Sequence, residues 1–277
     1  MNIAFFGTPA FTTDFLDTFV ANGYSPSLVV TAPDRPVGRG MVMTSPEPKN
    51  WAEKNNVKVL QPEKLDDAFF AELSQTSWDL FVVVAYGKII PERIINLPKH
   101  GTINVHYSLL PQYRGATPTE SAILNGDTMT GVTIQQMVYT LDAGDILSTK
   151  AVAIDPADTT LTLREKLNKE ALLLLPQTIQ KIFDGTITRT AQDESLVSTC
   201  GKFTKDMGEL NLAGDGVTND RKHRAYTGSI GTYFFKDGTR IKITNAHLDG
   251  EQFVIDEVIP ENGKRMSYTS YLASKTS

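Results

Sequence analysis

Asn2-Ile3-Ala4-Phe5-Phe6-Gly7-Thr8-Pro9 begins with a short apolar run that stops at a glycine and a proline. A run of this length bounded by turn residues reads as a buried strand. Pro9 suits a first helical turn, with Thr8 as a candidate N-cap. Phe11, Phe15, Leu16 and Phe19 then recur at helical spacing, Gly23 follows, and residues 27–32 read as a second strand. Strand, helix and strand make one β-α-β unit. Further strand signals recur at 57–60, 80–85, 102–106, 132–138 and 146–154. Helical segments are expected at 48–55, 66–74, 118–125 and 161–183. This alternation predicts an α/β fold, a Rossmann-like, mostly parallel sheet with helices on both faces. Ligands of such sheets bind beyond the carboxyl ends of the strands. The loops after Phe6, Ala85 and His106 are therefore the places for chemistry.

The pattern changes near residue 185. Asp184-Gly185 ends the long helical segment, and residues 186–199 carry no strong period. After Cys200 the signals are strand-like at 231–235, 240–244 and 253–258, with turn pairs at Asp237-Gly238 and Asp249-Gly250. The expected organisation is a domain at 1–185, a linker at 186–199 and a small β-rich domain at 200–277. A length of 277 residues agrees with two domains.

Composition narrows the function classes. The chain is 40% hydrophobic and 21% charged, ordinary for a globular protein. With a single cysteine, Cys200, no intramolecular disulfide can form, and with four histidines and no cysteine pair a metal site is not expected. Cys200 reads as a buried small residue. No apolar run reaches membrane-spanning length, and the N-terminus has no signal-peptide pattern, so a cytoplasmic protein without membrane contact is expected. The net charge of −5 argues against broad non-specific nucleic-acid binding. Residues 200–277 are less acidic than the rest, with 11 Lys/Arg against 10 Asp/Glu.

The densest polar segment is Asn104-Val105-His106-Tyr107-Ser108-Leu109-Leu110-Pro111. On a strand, Asn104 and His106 project from one face. An amide can hydrogen-bond a developing oxyanion, and an imidazole can carry a proton near neutral pH. By itself the tripeptide more often marks a strand end with a solvated amide and a hydrogen-bonded imidazole.

The surrounding order is more specific. Asn104-x-His106, Ser108-Leu109-Leu110-Pro111, Tyr113-Arg114-Gly115, Gly131-Val132-Thr133 and Leu141-Asp142-Ala143-Gly144-Asp145 resemble the folate-dependent formyltransferases. Phe6-Gly7-Thr8-Pro9, Pro33-Asp34-Arg35-Pro36-x-Gly38-Arg39-Gly40, Ser45-Pro46 and the segment from Val83 to Pro91 look like the methionyl-tRNA formyltransferase branch. The resemblance spans the first 185 residues and continues more weakly to the end.

The resemblance implies that Asn104, His106 and Asp142 are catalytic. It implies that Ser108, Leu109, Leu110 and Pro111 hold the folate, with Ala85, Tyr86, Gly87 and Ile89 as a second folate-contacting loop. Arg35, Arg39 and Met41 would lie in the loop that enters the tRNA acceptor stem. The implied donor is 10-formyltetrahydrofolate, and the implied acceptor is the α-amino group of methionine on initiator tRNA. The family also implies a monomer and a C-terminal OB-like barrel that binds tRNA, here shortened. Asp142, a carboxylate near His106, would raise the imidazole pKa and relay protons from the attacking amine.

Residues 33–48 are stiffened by Pro33, Pro36, Pro46 and Pro48 and given bends by Gly38 and Gly40. Arg35 and Arg39 offer fork-shaped donors, and Met41, Val42 and Met43 add apolar surface to an expected loop. A wedge beside an unpaired terminal base pair would use both. The chain departs from the family at Tyr107, where glycine is usual, and at Met41-Val42, where basic residues are common. Lys202, Lys205, Arg221, Lys222, Arg224, Lys264 and Arg265 are further candidates for phosphate contact, although any one such lysine is more often a solvated charge. The alternative readings are a nucleotide-amino-sugar N-formyltransferase and a non-catalytic folate- or tRNA-binding paralogue. A formyltetrahydrofolate hydrolase fits less well, and Gly7-Thr8-Pro9 lacks the spacing of a dinucleotide fingerprint.

Overall fold

A computed structural model describes residues 1–38 and 40–275. In chain order β1 (Ile3–Gly7), α1 (Thr12–Ala21) and β2 (Pro26–Val30) form the expected opening unit. A short hairpin, β3 (Arg35–Val37) with β4 (Val42–Thr44), precedes α2 (Glu47–Lys54), β5 (Lys58–Leu60), α3 (Asp67–Leu73), β6 (Leu80–Val84) and α4 (Glu92–Ile95). Then come β7 (Thr102–His106), the two-residue β8 (Arg114–Gly115), α5 (Pro118–Asn125), β9 (Met129–Gln136), β10 (Ile146–Ala153) and α6 (Thr160–Phe183). The remainder holds β11 (Thr199–Cys200), α7 (Gly216–Tyr226), β12 (Thr232–Lys236), β13 (Thr239–Asp249), β14 (Gln252–Pro260), β15 (Met266–Ser267) and α8 (Tyr268–Ala273).

The main sheet has the order β10-β9-β7-β6-β1-β2-β5. From β5 to β7 its strands are parallel, and β9 runs antiparallel to β7. Every residue of β1 and β6 is buried, which requires cover on both faces of the sheet. On one face Phe6, Val30, Phe81 and Val83 pack with Phe69 and Leu73 of α3 and Ile94 of α4. On the other, Phe5 meets Phe19 of α1 edge to face, with ring centroids 5.8 Å apart. α6 buries Leu163, Leu167, Ala171, Leu175, Ile179 and Ile182, one stripe at helical spacing.

Two local expectations are corrected. α1 starts at Thr12, after a turn, and has no side-chain cap. Thr8 instead donates its hydroxyl to the Tyr86 carbonyl at 3.2 Å, across to the neighbouring strand's loop. Residues 35–37 and 42–44, expected as part of an unpaired loop, form an antiparallel hairpin in which Pro36 pairs with Met43.

The chain divides into two compact units. The first takes in residues 1–114, 132–150 and 168–197. The second takes in residues 115–131, 151–167 and 198–277. It holds a four-stranded antiparallel sheet in the order β12-β13-β14-β15. Leu210, Phe234, Ile241, Ile243, Val258 and Tyr271 form its core. α7 is a helix the sequence reading missed; Asp215 caps it by accepting from the Thr218 amide at 2.7 Å. Its buried side chains include Asn219, Asp220 and His223, so it shows no apolar period. Among the described residues no helix is long and apolar enough to cross a membrane.

Candidate active site

Gly7 pairs with Val84, and Val84 with Val105, so β1, β6 and β7 end along one edge of the sheet. The three loops singled out from the sequence leave from that edge. β7 carries Asn104, half-buried, and His106, 5% exposed. In the antiparallel ladder with β9, Asn104 faces Gln135 and His106 faces Thr133. Directly opposed residues project from the same face, so all four share one side of the sheet.

Asp142 comes from the loop joining β9 to β10. Its Oδ2 lies 3.6 Å from His106 Nδ1, and its side chain is 10% exposed. The loop is shaped to bring it there. Asp142 stands at φ 50°, in the left-handed region that aspartate tolerates better than most residues. Gly144 lies so close to β9 that an added Cβ would fall 1.6 Å from the Gln136 carbonyl oxygen. The Gln136 amide also donates to the Asp145 carbonyl at 2.8 Å. From behind, Gln192 Nε2 donates to the carbonyls of Asp142 (2.8 Å) and Gly144 (2.7 Å). Arg114 fixes Gln192 by donating Nε to its Oε1 at 3.0 Å. The same guanidinium grips Glu194 with its two terminal nitrogens.

His106 Nε2 lies 2.9 Å from the Tyr113 carbonyl oxygen. A carbonyl only accepts, so Nε2 carries the hydrogen, and Nδ1 is the nitrogen turned to Asp142. Burial lowers the His106 pKa below the usual histidine value, while the Asp142 charge and the Tyr113 hydrogen bond pull the other way. The expectation of a raised value is therefore corrected: desolvation outweighs the carboxylate. The resting imidazole is neutral, with Nδ1 free to take a proton.

The segment after β7 is tied down by its own polar groups. Ser108 Oγ donates to the Gln112 carbonyl at 2.5 Å. Thr133 Oγ1 donates to the Ser108 carbonyl at 2.7 Å and accepts from the Leu110 amide at 3.1 Å. The Leu110–Pro111 peptide is cis, and Leu109 is half-buried. After β6, Ala85 (φ 47°) and Gly87 (φ 82°) turn the chain sharply, Tyr86 is buried and Ile89 is 83% exposed. The two segments offer turned backbone and apolar side chains at the same edge as His106. That combination suits a flat ring with hydrogen-bonding edges and apolar faces.

Arg35 and Met41 belong to the β3–β4 hairpin, where both are exposed; Arg39 lies outside the described residues. Val37, Met41, Val42 and Met43 are all more than half exposed. The base of the hairpin is fixed by Asp34, which accepts from Lys49 Nζ and Gln61 Nε2, each at 2.7 Å. Tyr107 packs: its ring lies 6.3 Å from that of Phe11, and its hydroxyl donates to Asn168. Cys200 is half-buried, and its carbonyl accepts from the Ala116 amide. Among the candidate phosphate contacts, Arg224 is engaged by Asp220 and Arg265 lies 3.8 Å from Glu257.

Sequence reasoning placed Tyr113 and Arg114 in a motif without giving them a role, and it missed Gln135 and Gln192. For Gln135 there was one signal: Thr133 and Gln135 are two apart on a strand, the same spacing as Asn104 and His106.

Residues 1–179 match a family model described as Formyl transferase. A methionyl-tRNA formyltransferase of Lactobacillus johnsonii is 37% identical over 296 aligned positions, covering 98% of this chain and 94% of that protein. One from Halalkalibacterium halodurans is 42% identical over 217 positions, covering 78% of this chain and 68% of that protein. Among solved structures, an N-formyltransferase from Helicobacter canadensis in complex with folinic acid and dTDP-3-aminofucose matches with a TM-score of 0.68. It is 19% identical, with coverage of 92% of this chain and 95% of its own, a likeness of fold alone.

Proposed function

Since the chain belongs to the methionyl-tRNA formyltransferase family, we propose that Asn104, His106 and Asp142 carry its formyl transfer to methionyl-tRNA. The enzyme serves translation initiation. The donor in this reading is 10-formyltetrahydrofolate, held between residues 85–89 and 108–111. The acceptor is the free α-amino group of methionine on initiator tRNA. The observation that carries the assignment is the approach of His106 Nδ1 to Asp142 Oδ2 at 3.6 Å, beside Asn104 on the same sheet face.

The amine nitrogen attacks the formyl carbon, and a carbon–nitrogen bond forms while the carbonyl oxygen gains charge. Asn104 donates its amide hydrogen to that oxygen; one such donor is worth about 10²–10³ in rate. The attacking nitrogen must lose one proton, and Asp142 accepts it. The bond to the folate nitrogen then breaks, and that nitrogen keeps the electron pair and takes up one proton. The Asp142–His106 pair relays it: Nδ1 is an open acceptor, and the Tyr113 carbonyl keeps Nε2–H from turning away. Burial opposes a lasting imidazolium, so the proton is passed on rather than held. One proton leaves the amine and one arrives at the folate nitrogen, so no covalent enzyme intermediate is needed.

The β3–β4 hairpin is the docking element for the acceptor stem in this reading. Its support is the exposed apolar tip on a base fixed by Asp34. The second unit would hold the rest of the tRNA.

The test is formyl transfer from 10-formyltetrahydrofolate to charged initiator tRNA, charged elongator tRNA and nucleotide-linked amino sugars. Turnover with initiator methionyl-tRNA, lowered by about 10²–10⁴ in His106→Ala, is expected. Turnover confined to an amino sugar, or an undiminished His106→Ala, would overturn the assignment.

A further inference from the structure

Gln135 is the residue directly opposite Asn104 in the β7–β9 ladder and is 1% exposed. Its Nε2 donates to Asp142 Oδ1 at 2.7 Å. Its Oε1 is buried with no hydrogen-bond partner among the described residues. An acceptor buried without a donor destabilises the fold. As packing alone, an apolar side chain of similar size would suit this position better. What the amide supplies is the bond from Nε2.

That bond decides how the carboxylate is presented. Asp142 sits on a loop, and its carboxyl group could rotate to offer either oxygen to His106. With Oδ1 engaged by Gln135, Oδ2 is the oxygen turned to Nδ1, at 3.6 Å. A carboxylate fixed at one oxygen keeps the other in a constant direction for the proton it must take and release. The backbone of the same loop is held separately by Gln192.

The geometry points to Gln135 as a positioning residue for the transfer: it holds the Asp142 carboxylate in register with His106 and acts only through it. This rests on the assignment of Asp142 as the proton carrier. The atoms that react are unchanged by it; Gln135 neither gains nor loses a proton.

The experiment is a double-mutant cycle on the full chain. Gln135→Met and Gln135→Leu are each made alone and together with Asp142→Asn. Values of kcat and of KM for folate and tRNA are measured, and thermal melting confirms that each variant folds. Gln135→Leu is smaller than methionine and has no donor, so it gives the answer if Gln135→Met does not fold. Each single Gln135 variant is expected to lower kcat about tenfold or more with both KM values unchanged. In the Asp142→Asn background neither should lower kcat further, because residues acting as a unit are not additive. A purely structural role would lower kcat equally in both backgrounds, and that result, or an unchanged kcat, would overturn the inference. An Asp142→Asn variant that keeps full turnover would instead remove the proton-carrier assignment, which separates the two failures.

Discussion

The loop that carries Asp142 can be moved without touching any reacting group, by Gly144→Ala. A methyl group at this position would lie 1.6 Å from the Gln136 carbonyl oxygen, where real contacts do not fall below 3.0 Å. The obstacle is backbone at the end of β9, held in the ladder opposite Ile103 of β7, so it cannot rotate aside as a flexible side chain would. The two chains must part by more than an ångström, two residues from Asp142. The displacement also strains the Gln192 bonds to the Asp142 and Gly144 carbonyls. His106 is fixed on β7 and cannot follow, so the 3.6 Å separation widens. Misplacement by about 1 Å costs roughly 10²-fold in rate. Steady-state assays should therefore show kcat reduced about 10²-fold, with KM for folate and tRNA unchanged and a cooperative melt retained at lower temperature. Wild-type kcat in a folded Gly144→Ala variant would refute the argument that loop placement sets the rate. A loss found wholly in KM for tRNA would refute it as well.

Stability should depend on pH through the buried histidines. Burial is the main cause holding both His106 and His223 below the usual value of 6.5. Each is neutral when folded and protonates on unfolding below 6.5. Their stabilising contribution is thus complete above 6.5 and is lost as pH falls from there through the lowered folded value. His247 works in the opposite sense: its hydrogen bond to Asp256 raises its pKa, so its contribution is present below 6.5 and lost as pH rises through the raised value. It is exposed and screened by solvent, so the buried pair should dominate. Melting temperature should fall as pH drops from about 6.5 towards 5, and His223→Gln should flatten the fall; an unaltered slope in that variant would contradict the account. For the hairpin, Met41→Ser with Val42→Ser should raise KM for tRNA several-fold and leave kcat at saturating tRNA unchanged. A change confined to kcat would show that the tip acts on chemistry rather than docking.

Much of the scaffold was legible because its signals are local. β7 occupies Thr102–His106 and α5 occupies Pro118–Asn125, as read from the sequence. β6 and α6 differ from the reading by one residue. The hairpin was missed because its strands are three residues long, wholly exposed and interrupted by Pro36, so neither alternation nor burial marks them. α7 was missed because Gly216, Thr218 and Asn219 are poor helix formers and Asn219, Asp220 and His223 on its buried face break the apolar period. The proposed catalytic trio could be recognised by motif, but Gln135 and Gln192 behind it could not. Gln135 meets Asn104 only through strand register, and Gln192 lies 50 residues beyond the carbonyl it holds. The sign of the His106 shift depends on how deeply the ring is buried, and a neighbouring carboxylate in the sequence says nothing of that.

Arg114 and Gln192 give residues 186–199 a meaning that their plain sequence does not suggest. A stretch that looks like a tether between folded parts supplies the strut behind the Asp142 loop, anchored by a guanidinium fork on Glu194. A minimal fragment trimmed at residue 185 would keep the whole trio and lose its brace. Protease nicking within 190–196 should therefore silence the enzyme before it unfolds the sheet.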